Sequence, residues 1–325
     1  MMNCYQLLGI YLIAWLSINA CQSTDAEHPL FVKNLDNIRY LQMEFEDSLD
    51  VQLYQPIVVQ RSDTFHLIVR MQDAKTGFSQ LGLYIGDGIN YTFRGTIETS
   101  LFDRTTESCR VIRRNEGDYL MTYVLRSAGS STLMLASSQD LQHWNSIGPA
   151  FSEDFSCKDG GVIIGQYIDA DLVAKKIDGK YWMIWNNGTL HLATSQDLIH
   201  WEPFKTPSGA LHILFGQSDE GFDADQILLG PSPIWTEEGI LMIYHGREIR
   251  TKDASGTIHP GQVVLSMVEP YVIIARSPVP MIEVNSDASK VLQIYSVVQT
   301  FPGNFTFFAG SEKNDLFNIS VSNSH

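Results

Sequence analysis

"LASSQDLQHW" (residues 135–144) and "LATSQDLIHW" (residues 192–201) agree in eight of ten letters at an offset of 57 residues. Agreement of that length marks a repeated structural unit. The similarity continues upstream, with "GDYLMTYVLRS" before the first copy and "GKYWMIWNNG" before the second. Each is an aromatic and β-branched run after a glycine-containing turn, which reads as a strand. A second strand follows, then a polar turn and a tryptophan. In the turn, Asp140 and Asp197 are placed to accept backbone N–H bonds. Trp144 and Trp201 supply a flat apolar plate against the next blade. Fainter copies occupy 64–91 and 238–270, and a final strand pair is expected within 295–321. Five units of roughly 50–60 residues with no long helical period predict an all-β, five-bladed β-propeller.

The chain has 325 residues, 44% of them hydrophobic, enough for a large core. Residues 1–21 carry no charged side chain, and the apolar run Leu7–Ile18 is too short to span a bilayer. That run fits the core of a secretory signal. Ala20 before Cys21, followed by a polar segment, resembles a bacterial lipoprotein cleavage site, so Cys21 is expected to carry lipid. Ordinary signal cleavage nearby is the alternative. The expected division is a signal at 1–21, a tether at 22–45 and the propeller at 46–325. The protein is then exported and lipid-anchored in the periplasm or at the cell surface, with no other membrane contact.

A net charge of −15 argues against nucleic acid and anionic membrane as partners. It suits a neutral oligosaccharide or glycan. Of four cysteines only Cys109 and Cys157 remain for the folded body, and a bridge between them is left open. No cysteine or histidine cluster has zinc spacing, and no metal or other cofactor is implied.

Chemistry is sought where inner strands begin, near the axis. Glu107, the pair Asp169 and Asp171, and the pair Asp223 and Asp225 occupy such positions in three different units. Carboxylates meeting in one pocket are what glycoside cleavage needs. Arg70, Arg110 and Arg126 follow or open inner strands in the same way and are suited to holding a carboxylate or an oxyanion.

"GPSPIWTEEGILMIYHG" (230–246), "IIARSPVPMIE" (273–283) and "VVQTF" (297–301) resemble the second half of glycoside hydrolase family 130. "RVIRRNEGDYLMTYV" and "GKYWMIW…LATSQDLIHWEP" resemble its earlier blades. The resemblance spans about residues 50–321 and implies a five-bladed propeller that cleaves β-mannosides by phosphorolysis or by inverting hydrolysis. Carried over by position, Asp223 matches an aspartate that follows tryptophan in the family, with Phe222 here instead. Asp169 matches the acidic position of a third-blade motif. Arg70, Tyr244 and His245 match sugar- or anion-contacting positions, and Arg110 matches the arginine of a Glu-Asp-Pro-Arg motif. That motif reads Glu107-Ser108-Cys109-Arg110 here, so Ser108 stands where the family's proton donor is expected. A serine hydroxyl is too weak an acid for that work, and Glu107, Asp169 and Asp171 become the candidates. Asn186 stands where phosphorolytic members tend to carry a basic residue. Together with export, Asn186 points to hydrolysis. The expected roles are Asp223 or Asp169 beside the water, Glu107 as acid, and Arg70, Arg110 and Arg126 on sugar hydroxyls. Tyr244 and His245 are expected to line the subsite. A glycan-binding lipoprotein without turnover is the alternative.

Overall fold

A computed structural model describes residues 28–32, 36–44, 51–97, 106–127, 129–153, 155–248, 257–282, 292–301, 304–311 and 315–322. The segment expected as a signal, with Cys21, lies outside the described residues. All regular structure among them is β, and the strands form the five blades of a propeller. The first blade holds Val51–Arg61, Thr64–Asp73, Ser79–Gly86 and Asn90–Thr96. The second holds Thr106–Asn115, Asp118–Ser127, Ser130–Ser138 and Asn145–Pro149. The third is built on Asp159–Ile163, Lys180–Asn186 and Leu190–Ser195. The fourth is Gln226–Leu229, Gly239–Glu248, Thr257–Leu265 and Ile273–Arg276. The fifth contains Leu292–Phe301, Asn304–Ser311 and Leu316–Ser322.

Middle strands are covered on both faces by neighbouring blades, so they read as unbroken apolar runs rather than alternating ones. "GILMIYHG" of the fourth blade is buried at all eight positions. Five hydrophobic clusters result, one at each blade-to-blade seam. Polar ties accompany them. Thr122 donates to the Gly161 carbonyl (2.5 Å) between the second and third blades. The Asn186 amide donates to the Ile227 carbonyl (2.9 Å) between the third and fourth. His245 Nε2 accepts from the Ile294 N–H (2.9 Å) between the fourth and fifth. Ser296 Oγ accepts from the Val58 N–H (3.0 Å) and donates to the Val58 carbonyl (3.1 Å) between the fifth and first. Side chains bonded to backbone in this way hold the register of one blade on the next without a covalent link.

The two SQDLxHW turns agree bond for bond. Asp140 Oδ1 accepts from the N–H groups of Gln142 (2.9 Å) and His143 (2.8 Å). Asp197 Oδ1 does the same with Ile199 and His200, both at 2.9 Å. Leu141 and Leu198 both take left-handed backbone, φ 70° and 68°, which the turn enforces. Burial opposes it, but the His143 N–H and imidazole hold the Asp140 carboxyl down to about 2. The indole N–H of Trp144 donates to the Leu141 carbonyl (3.0 Å), and that of Trp201 to Leu198 (3.1 Å). Both rings are buried, but in the clusters shared with the preceding blade, not the next one as expected.

Three further differences concern connectivity. The segment expected as a tether carries Asp36–Tyr40, which pairs with Leu316–Ser322 as the outer strand of the fifth blade. It also carries Gln42–Glu44, which pairs in parallel with Asn90–Thr96 of the first blade. The N-terminal segment therefore crosses the seam where the chain's ends meet. Second, Gly165–Ile168 and Asp171–Ala174 form a hairpin inserted after the third inner strand. It pairs with Thr106–Asn115 on one side and Ile234–Thr236 on the other, which joins the second and fourth blades at the end of the axis remote from the inner-strand starts. Third, Cys109 and Cys157 are both buried, and neither forms a disulfide. Burial pushes the Cys109 thiol up to about 12, so it is inert at neutral pH.

Candidate active site

The end of the axis at which the inner strands begin is here called the mouth. Four inner strands are bulged near that end. The register shifts between Tyr54 and Ile57, Glu107 and Arg110, Asp159 and Val162, and Ile294 and Ser296. A bulge places two residues opposite one and re-aims side chains. Gln55 (φ 55°) and Ser108 (φ 54°) are held left-handed within two of these bulges. Such backbone costs of order 1–3 kcal/mol in a residue other than glycine and persists only where its surroundings enforce it. At Ser108 the cause is visible. A Cβ on Gly160 would collide with the Ser108 carbonyl, so the second and third inner strands approach backbone to backbone.

Two side-chain clusters stand at this end. In the first, Glu107 lies between two guanidiniums, 2.7 Å from Arg126 Nε and 3.9 Å from Arg70 Nη1. Arg70 also donates to Ser79 Oγ (3.2 Å), and Arg126 reaches toward the Lys158 carbonyl (3.5 Å). The Lys158 ammonium lies over the Gly188 turn. The mouth of a strongly acidic protein thus gathers Arg70, Arg126 and Lys158 around a single described carboxylate. Glu107 is the acceptor that holds the two arginines.

In the second cluster, Asp223 Oδ2 accepts from Arg276 Nη2 (2.6 Å) and from the Tyr244 hydroxyl (2.7 Å). Arg276 Nε also donates to the Tyr244 oxygen (3.2 Å), and both terminal nitrogens face the Gly216 carbonyl (3.3 Å). The guanidinium carbon lies 4.5 Å from the Phe215 ring centroid and 5.3 Å from that of Tyr244. Asp223 can sit this close because Gly246 has no Cβ, which would otherwise meet Asp223 Cβ. Phe222 stacks on Tyr244 at 6.0 Å. Asp223 and Arg276 form part of the wall of an open cavity of about 600 Å³. Among the described residues no hydrogen bond or ion pair joins the two clusters directly.

Several expected site residues lie elsewhere. Asp169 is at the tip of the inserted hairpin, and Asp171 pairs with Arg113 near the other end of Thr106–Asn115. Six residues of strand, roughly 20 Å, separate Arg113 from Glu107. Asp169 and Asp171 therefore belong to the far end of the axis and not to the mouth. Arg110 is buried, and each of its nitrogens donates to a carbonyl: Nε to Gly230 (2.7 Å), Nη1 to Cys109 (2.8 Å) and Nη2 to Leu229 (3.0 Å). It ties the second blade to the fourth. His245 is 1% exposed and bridges strands instead of lining a subsite. Burial, with Arg110 nearby, pushes its imidazole down to about 3, so it stays neutral. Tyr244 is fully buried beneath Asp223. Asn186 is enclosed in a seam, so its identity carries no information about an anion at the mouth.

Sequence reasoning passed over two residues. Asp159 begins the third inner strand and accepts from the N–H groups of Gly160 (2.9 Å) and Leu229 (2.8 Å). Its signal was an acid directly before a Gly-Gly pair, the dipeptide that lets strands touch. Arg276 lies inside the quoted "IIARSPVPMIE", and no local signal connects it to Asp223, 53 residues earlier.

A family model described as beta-1,4-mannooligosaccharide phosphorylase matches residues 50–302. No curated protein matches the sequence. Among solved structures, a glycosyl hydrolase from Bacteroides ovatus aligns at TM-score 0.77 and 21% identity over 94% of this chain and 93% of that one. A structure from work on GH130 hydrolases that target β-1,2 mannosidic linkages in Candida mannan aligns at TM-score 0.75 and 22% identity, over 94% and 93%. Beta-1,2-mannobiose phosphorylase from Listeria innocua aligns at TM-score 0.66 and 16% identity, over 90% and 94%. At these identities the likeness establishes the fold.

Proposed function

The chain belongs to glycoside hydrolase family 130, whose members are mannoside phosphorylases and hydrolases; from that premise we propose that it hydrolyses β-mannosides or related neutral glycans, with inversion. The observation that favours hydrolysis is Glu107. It fills the place between Arg70 and Arg126 that an incoming phosphate would need, and competes for the same donors. Asp223, fixed by Arg276 and Tyr244, is the carboxylate placed to accept a proton from water as that water attacks the anomeric carbon. Arg70 and Arg126 bind sugar hydroxyls at the rim. The test is incubation with β-1,2- and β-1,4-linked manno-oligosaccharides, with and without phosphate. Free sugar at a rate independent of phosphate supports the proposal; sugar 1-phosphate would overturn it in favour of phosphorolysis. Glu107→Gln is expected to raise phosphate affinity at the rim, seen as inhibition at lower phosphate concentration.

A second reading is a glycan-binding protein without turnover. Ser108 favours it, because a serine, and not a carboxylic acid, stands at the position that the family resemblance gives to the proton donor. Oligosaccharide binding with no product of either kind would select this reading.

Export with a lipid on Cys21 remains part of the proposal. Val32 and the Gln262 side chain exchange two hydrogen bonds (2.9 and 3.1 Å), and Leu30 packs by Gly239 at the far end of the fourth blade. Residues 22–28 span at most roughly 25 Å, so an anchor at Cys21 would keep His28 within that reach of the membrane. Palmitate labelling of the expressed full chain, lost in Cys21→Ala, is the expected result; equal labelling would refute it.

A further inference from the structure

The inner strands of a propeller have no neighbour on the axis side, so their edge N–H and C=O groups must find partners there. At the far end of the axis the Gly165–Ala174 hairpin meets that need for two blades. It pairs at Val173 with Arg113 of the second and at Gly165 with Ile234 of the fourth. It reaches the fifth blade through the Tyr167 hydroxyl, which donates to the Val297 carbonyl (2.5 Å). Asp171 Oδ2 pairs with the Arg113 guanidinium. On the mouth side, Arg110 crosses from the second blade to the Leu229 and Gly230 carbonyls of the fourth. Between this crossing and the hairpin lies a cavity of about 30 Å³, whose lining includes Val58, Gln60, Arg113, Asp171, Ser232 and Val297. Three buried atoms of these residues, Gln60 Oε1, Arg113 Nε and Asp171 Oδ1, have no hydrogen-bond partner among the described residues.

We infer that this cavity is a site for bound water, and that the hairpin and its waters together seal the far end of the axis. The orphaned atoms decide the ligand. Gln60 Oε1 and Asp171 Oδ1 accept, whereas Arg113 Nε donates. A cation would suit the carboxylate and be repelled by the guanidinium, and an anion would meet the reverse. Water serves both and carries no charge to desolvate. A buried water needs roughly 10–15 Å³ and makes about three hydrogen bonds, so a cavity of about 30 Å³ takes about two. The hairpin itself is tied to the second, fourth and fifth blades, and the waters supply the bond to Gln60 of the first. Whatever enters the axis at the mouth then leaves by the mouth. The seal belongs to the fold and holds with or without turnover.

Crystallography of the full chain tests the ligand. About two ordered waters are expected within hydrogen-bond distance of Asp171 Oδ1, Gln60 Oε1 and Arg113 Nε. A dry cavity would overturn the site, and so would an anomalous peak inside it after soaking in rubidium or bromide. Thiol labelling tests the seal. Ser232→Cys puts a thiol in the cavity wall, and methyl methanethiosulfonate is expected to react there as slowly as with the buried Cys109 and Cys157. Adding Tyr167→Phe removes the bond to Val297 and keeps the ring. Labelling at position 232 is then expected to quicken about tenfold, the equivalent of one lost hydrogen bond. Cys109 and Cys157 are expected to stay unreacted, which separates opening of the plug from unfolding. Fast labelling with Tyr167 intact, or no change on its replacement, would overturn the seal. Reaction of all three thiols together would also overturn it, because the hairpin would then open only with the whole fold.

Discussion

Replacing Asp223 by Asn is expected to lower kcat by about 10²–10⁴-fold, the usual worth of a positioned acid or base, while the protein remains folded. The substitution keeps the shape of the side chain and an oxygen for the Tyr244 hydroxyl. It removes the charge that faces Arg276 at 2.6 Å. Some stability is lost with it, because Arg276 is only 17% exposed on its side chain and keeps only neutral partners, the Gly216 carbonyl, the Tyr244 hydroxyl oxygen and two aromatic rings. The measurement is steady-state kinetics on a β-mannoside with a melting curve of each protein. A fall in kcat at little-changed KM supports a role for Asp223 in the chemical step. A rise in KM alone would make it a binding residue. An unchanged rate in a folded variant removes it from the reaction.

Arg110→Met is expected to produce the largest loss of stability of any single change at the axis. The side chain is of similar length and apolar, so little volume is lost. Three carbonyls, of Cys109, Leu229 and Gly230, lose their donor in a buried place. At about 1–3 kcal/mol for each unsatisfied buried group, partly relieved by water, the cost is about 3–5 kcal/mol. The corresponding fall in Tm is on the order of 10 °C for a domain of this size. Arg110→Lys is expected to recover only part, because an ammonium cannot span three carbonyls in one plane. If Arg110 instead binds sugar, as its position in the sequence suggests, both variants would lose affinity with Tm nearly intact, and that result would overturn the structural role.

Much of the architecture was legible because its signals are local. The SQDLxHW turns use an aspartate, a left-handed leucine and a tryptophan whose hydrogen bonds all fall within a few residues, so the letters carry the geometry with them. The apolar runs of the middle strands follow from burial on both faces. The site was legible only in part. The Gly165–Ala174 hairpin has the β-strand signal of an inner strand, and reading it as one put Asp169 at the mouth. Its true place depends on pairing with residues near 113 and 234, which no local pattern reports.

By itself, the sequence determined the five-fold β repeat, the family and the presence of Glu107, Asp223, Arg70 and Arg126 at one end of the axis. Periodicity and turn chemistry act over a few residues and survive without tertiary context. Tertiary structure alone decided which charged groups are working surface and which are mortar. Arg110, Asn186 and His245 face seams, whereas Arg126 and Lys158 face the opening and Arg276 closes on Asp223. The physical reason is that the packing of blade on blade, and not the local strand pattern, sets which side chains a neighbouring blade covers. Whether a buried donor finds a ligand or a neighbouring carbonyl is settled only when the next blade packs against it.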